Sequence, residues 1–226
     1  GDHRELHSFP TRRSSDLMIS EMEYELSVLM ISLLVITGVI SGFINTLAGG
    51  GSMLTLPALM MLGMPADVAN ATNRVGVLMQ SVTGAKGFND QNRLDRSAVL
   101  PILVPTVIGA LAGSVLASYL PVWLLEPVLL ASMVTVALVM VIKPESITPP
   151  EGTVPFKLEE KPMAGIGLFL AGLYGGFVQA GVGFILIAAL AGGLRYDLVR
   201  TNALKTVCTA VFSGVALIVF ALRGQV

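Results

Sequence analysis

The chain has 226 residues, 54% of them hydrophobic and 13% charged, with a formal net charge of −1 and a mean hydropathy of +0.78. So few charges exclude an ordinary soluble domain of this length. The near-neutral balance excludes a nucleic-acid binder that works through a basic surface.

The opening residues read as foreign to the rest. The stretch from His7 to Leu17 resembles a translated sequencing adapter, so residues 1–17 are expected to be a non-native leader with Met18 as the natural start. Arg12 and Arg13 lack the adjoining apolar core and cleavage site of a signal peptide. Both histidines, His3 and His7, fall inside the leader. Without it, no imidazole remains for a proton relay, a zinc site or a catalytic triad. The one cysteine, Cys208, lies in an apolar stretch and reads as a small packing residue.

No Asp, Glu, Lys or Arg occurs from Leu26 to Ala66, about twice the length of one membrane span. Gly49, Gly50, Gly51 and Ser52 interrupt this run, which predicts a full helix over 26–47 and a short helix over 52–63. A dozen residues rise only about 18 Å. The short helix is therefore expected to be re-entrant or half of a broken span. A third helix is predicted over 67–85, opened by Asp67 as its cap, with a polar loop at 87–96. Spans follow over 97–118 and 123–142, then a hydrophilic linker over 144–162, rich in Pro and Glu and read as solvated.

The second apolar block, 163–226, echoes the first, 18–143. A helix over 163–178 leads to Gln179, Gly181 and Gly183, then a short apolar piece to Leu190, then a helix over 198–222. Ala48, Gly49 and Gly51 match Ala180, Gly181 and Gly183, while Gly63, Thr72 and Asn73 match Gly192, Thr201 and Asn202. We read this as two homologous repeats, the second incomplete because nothing in it answers to 97–142, so the chain is expected to be a fragment. The expected fold class is all-α: a polytopic transmembrane helical protein with short broken or re-entrant helices after glycine-rich breaks. Lys86, Arg93 and Arg96 in one loop, and Lys143, Lys157 and Lys161 in the other, place both loops on the cytoplasmic side.

The stretches Gly42–Pro57, Leu62–Pro65 and Ala71–Asn73 resemble the first repeat of the TauE/SafE sulfite-exporter family. Gly172–Asn202 is similar to that family's second repeat, and Asn92–Asp95 with the glycines Gly109 and Gly113 fits its connecting region. Two departures stand out: Ala-Gly-Val-Gly at 180–183 replaces a fuller glycine run, and Gly193-Leu-Arg195 replaces Gly-Leu-Pro. The resemblance implies a multi-pass permease of the inner membrane. It would be a secondary carrier, not an enzyme, for sulfite, sulfonates or related organosulfur anions. A passive anion channel and a non-transporting scaffold are the alternatives. The expected partners are a small anion and the lipid bilayer, with a homo-oligomer possible and no nucleic acid, metal or cofactor. Neither glycine cluster spells a dinucleotide or Walker A motif.

The candidate anion site begins at the breaks, Gly49, Gly50, Gly51 and Ser52 with Gly181 and Gly183. Glycine lets the backbone leave the helix, and the start of a short helix offers N–H groups and a partial positive charge. Thr72, Asn73 and Arg74, with Thr201, Asn202 and Lys205, could replace an anion's water shell and offset its charge. The competing role for the two cations is to snorkel from a helix start to the headgroups. Asn45, Thr46 and Gln179 flank the breaks and could coordinate or cap. Glu126 reads as interfacial. The pairs Gly38/Gly42, Gly109/Gly113 and Gly172/Gly176 read as close helix packing.

Overall fold

The computed structural model describes residues 12–47, 49–142 and 149–224. Among these the regular structure is entirely helical: α1 (Arg12–Leu47), α2 (Ser52–Met61), α3 (Ala66–Asp90), α4 (Arg96–Tyr119), α5 (Val122–Ile142), α6 (Pro162–Phe177), α7 (Val182–Ile187) and α8 (Leu198–Leu222). A 3-10 turn, Leu158–Glu160, precedes α6, and a π turn, Ala188–Gly193, continues α7. Val28–Leu47 of α1, α4 and α8 are each long and apolar enough to cross a membrane. The first 36 residues form a unit of their own, of which the described part is helix alone, and Thr37–Val226 form the second unit.

Local chemistry explains the helix ends. Gly63 (φ +88°) closes α2, its N–H bonding to the Met60 carbonyl at 2.9 Å while the Met64 N–H reaches the Leu59 carbonyl at 3.3 Å. This paired pattern needs a left-handed residue, which glycine supplies without strain. Pro65 then sits at the N-cap of α3. Asp67 is therefore in the first turn and not the cap, and its Oδ1 is buried without a partner. The helix also outruns its predicted end and continues to Asp90. Nothing between Lys86 and Asp90 forbids helix, and the stop comes only where Asn92 (φ 55°) takes the left-handed turn. The polar loop shrinks to a few residues. Asp95 then caps α4, accepting from the Ser97 and Ala98 N–H groups at 3.1 and 3.3 Å.

Between lipid-exposed helices there is little hydrophobic drive, so close backbone packing decides which helices associate. α4 and α6 show this directly. A Cβ at Gly109 or Gly113 would overlap the carbonyl oxygens of Phe169 and Leu173, and one at Gly172 or Gly176 those of Thr106 and Ala110. These two pairs pack as expected. The third does not: nothing lies within 4 Å of a Cβ at Gly38, and Gly42 meets only the Gln80 side chain at 3.9 Å. Ile102, Leu168, Leu186, Leu190, Leu204, Cys208 and Phe212 fill the space where α4, α6, α7 and α8 converge. Cys208 is a core residue as read.

The described part of the linker is mostly exposed, and two of its apolar residues anchor it to the core. The Phe156 N–H donates to the Leu194 carbonyl at 2.9 Å, and Phe156 and Leu158 pack on the same core. Lys161 and Arg195 lie over the Phe156 ring, 4.9 and 5.9 Å from its centre. The residues around the Pro and Glu run at 143–148 lie outside the described residues.

Candidate functional site

The two glycine breaks meet. Gly49 (φ +87°) and Gly183 lie backbone against backbone, so closely that a Cβ on either would overlap the other's main chain. Gly51 abuts the Ser41 carbonyl, Gly50 faces the Phe184 ring, and Gly181 (φ +77°) is crowded by Met53 and by Val136 of α5. The main-chain approaches at Gly49, Gly51 and Gly183 require the absence of a side chain, whereas Gly50 and Gly181 meet side chains alone. The contact also means that no anion fits between Gly49 and Gly183 as they stand.

Two buried cations contact the helix ends that lead into the breaks. Lys205 is 2% exposed. Its Nζ donates to the carbonyls of Asn45 and Thr46, both at 3.2 Å, and to Asn202 Oδ1 at 2.7 Å. All three of its protons are thereby engaged. Arg74 is 0% exposed, and its guanidinium donates to the carbonyls of Gly175 (2.9 Å), Gly176 (2.7 Å) and Phe177 (3.3 Å) and, more loosely, to Asn70 Oδ1 (3.5 Å). The Phe220 ring lies 4.8 Å from the guanidinium carbon. Neither cation snorkels, and neither has a carboxylate partner among the described residues. Lys86 and Arg200 also lie within helices, near their ends, and Arg200 is satisfied by Asp197 at 2.7 Å.

Asn73 accepts a hydrogen bond from the Thr55 hydroxyl in the first turn of α2, while its own Nδ2 is buried without a partner. Neither α2, which opens at Ser52, nor α7 has a side-chain cap. Gln179 (φ 67°) donates to Ser213 Oγ at 2.7 Å and leaves its Oε1 unpaired. Asn45 pairs with Gln80 at 3.3 Å, and Thr201 is turned back onto the Tyr196 carbonyl at 3.1 Å. Thr72 is half-buried beside Asn73. Glu126 is exposed.

Sequence reasoning missed Asn70, Thr55, Gln80 and Ser213. A helical wheel offers a signal for two of them, since Asn70 lies one turn before Arg74 and Ser213 two turns after Lys205. A cavity of about 650 Å³, lined by Gly42, Phe43, Thr46, Leu47, Gln80 and Gly84, borders this cluster. Another of about 500 Å³, lined by Asp95, Pro101, Phe156, Lys157, Leu194 and Tyr196, opens at the loop end of α4. The Tyr196 hydroxyl there donates weakly to Asp95 at 3.4 Å. Burial first, and then the Asp95 charge, push its pKa up to about 12.

The family described as sulfite exporter TauE/SafE matches residues 34–226. The chain is 28% identical over 120 residues to a probable membrane transporter protein ORF9 of Sinorhizobium sp, covering 53% of this chain and 46% of that protein. It is 26% identical over 203 residues to the probable membrane transporter protein YfcA of Escherichia coli strain K12, covering 90% of this chain and 74% of the relative. A probable membrane transporter protein of Haemophilus influenzae is 24% identical over 205 residues, covering 89% and 78%. The chain thus spans less than half of the Sinorhizobium relative and about three quarters of the other two. No solved structure matches it. The matched region holds both glycine breaks, both buried cations and the α4–α6 crossing, and the chain belongs to the TauE/SafE family.

Proposed function

We propose that the protein is a secondary carrier of the inner membrane for small anions, with sulfite, sulfonates or related organosulfur compounds as cargo. The observation that carries this reading is electrostatic. Arg74 and Lys205 bring two positive charges into the membrane interior, both wholly buried and without an acid among the described residues. Isolated buried charge is costly. The carbonyl dipoles around each cation offset it only in part, so a negative guest nearby is favoured. Asn73 supplies a candidate ligand, an unpaired amide donor held beside the first turn of α2, where the Met53 and Leu54 N–H groups already bond to the Gly50 and Gly51 carbonyls at 3.0 Å. An anion and that amide donor are complementary.

The closed contact at Gly49 and Gly183 favours a carrier over a static pore, because the segments must move apart for a solute to pass. The name sulfite exporter supports the cargo by family alone. The test is flux of sulfite, sulfoacetate and taurine into vesicles that carry the protein, with and without a proton gradient. Saturable flux of at least one is expected. Absence of saturable flux for every anion would remove the reading, and linear flux indifferent to the gradient would turn it into a channel.

A further inference from the structure

We propose that Arg74 and Lys205 are positioning residues, each of which holds the glycine break of the opposite helix set by capping the helix that leads into it. The last carbonyls of a helix have no partner within it, and hydrocarbon offers no water to satisfy them. α1 ends at Leu47 just before Gly49, and α6 ends at Phe177 just before Gly181. Lys205 of α8 takes the carbonyls of Asn45 and Thr46, while Arg74 of α3 takes those of Gly175, Gly176 and Phe177. A cation suits that place, because the end of a helix carries partial negative charge.

The arrangement is crossed and matched. α3 belongs to the N-terminal helices and serves α6; α8 belongs to the C-terminal helices and serves α1. Each cation is braced by an asparagine of its own helix, Asn70 for Arg74 and Asn202 for Lys205. Lys205 has no proton left for a ligand, so its effect on an anion passes through the position of the break; Arg74 engages both terminal nitrogens on the α6 end and keeps its Nε–H unpaired. Gly49 and Gly183 touch directly. Fixing both helix ends therefore constrains how the breaks face one another. This inference is independent of the transport reading, since its test needs no flux.

The test uses thiol reporters. Cys208 is the one native cysteine, so Cys208→Ala provides a cysteine-free background for Ser52→Cys or Val182→Cys, at positions 2% and 3% exposed beside the two breaks. Alkylation by N-ethylmaleimide is followed on the full chain in membranes. Lys205→Met is expected to speed the reaction of the Ser52→Cys thiol roughly tenfold while the Val182→Cys thiol stays within about twofold, and Arg74→Met is expected to do the reverse. Lys205→Arg and Arg74→Lys, which keep a cation on the carbonyls, should restore protection. Unchanged protection in Lys205→Met, or equal opening of both thiols in either variant, would overturn the proposal. Should a methionine variant fail to accumulate, Asn202→Ala decides: it weakens only the brace, and it must raise Ser52→Cys reactivity selectively or the proposal fails.

Discussion

Gly49 combines a left-handed backbone with a close main-chain contact. Its φ of +87° is strained for any L side chain, and a methyl there would enter the backbone of Gly183. Gly49→Ala combines left-handed strain of order 1–3 kcal/mol with a clash that only main-chain movement can relieve. Thermal unfolding of the purified protein in detergent is expected to show a large fall in Tm; an unchanged Tm would mean that the two breaks do not touch. The glycines themselves were legible as breaks, because a run of three in an apolar stretch has no helical rationale. Their partnership was not legible, since nothing in 49–51 and 181–183 states that the two segments are in contact. The roles of the cations were half visible. Arg74 and Lys205 stood out as charges in apolar surroundings, but which carbonyls they serve depends on contacts more than 100 residues apart in sequence.

At the scale of the helix, α1 and α6 carry the same glycine spacing and behave differently. Gly172→Ala places a methyl against the Thr106 carbonyl and is expected to cost roughly 1–3 kcal/mol. Gly38→Ala meets nothing within 4 Å and should be neutral, or stabilising by up to about 1 kcal/mol through helix propensity. A pair of unfolding curves checks both, and equal effects would contradict the described packing. Spacing alone could not separate them, because the GxxxG pattern marks a surface fit for close approach and not the helix that fills it. Boundaries were read well where backbone chemistry forces a stop, as at Gly63 and Pro65. They were read poorly at 86–90, where polarity was mistaken for a helix end, and at Asp67, where Pro65 had already taken the cap.

For the whole molecule, the loop between α3 and α4 and the described part of the linker share one end. Arg93 and Glu151 pair at 3.0 Å, and Arg200 reaches toward the Thr153 carbonyl at 3.5 Å. That agrees with the charge-based expectation that both loops lie on the same side of the membrane. The Arg93–Glu151 pair is mostly solvent-exposed, so Glu151→Ala is expected to shift stability by less than about 1 kcal/mol, whereas removing a buried cation is not. The measurement that bears most directly on the account compares wild type with Asn73→Ala for whichever anion is carried. A hydrogen bond to a charged group contributes about 1.5–3 kcal/mol. Half-saturation of flux is therefore expected to rise at least about tenfold with the protein still folded. Identical half-saturation in the two proteins would contradict an anion site beside the start of α2.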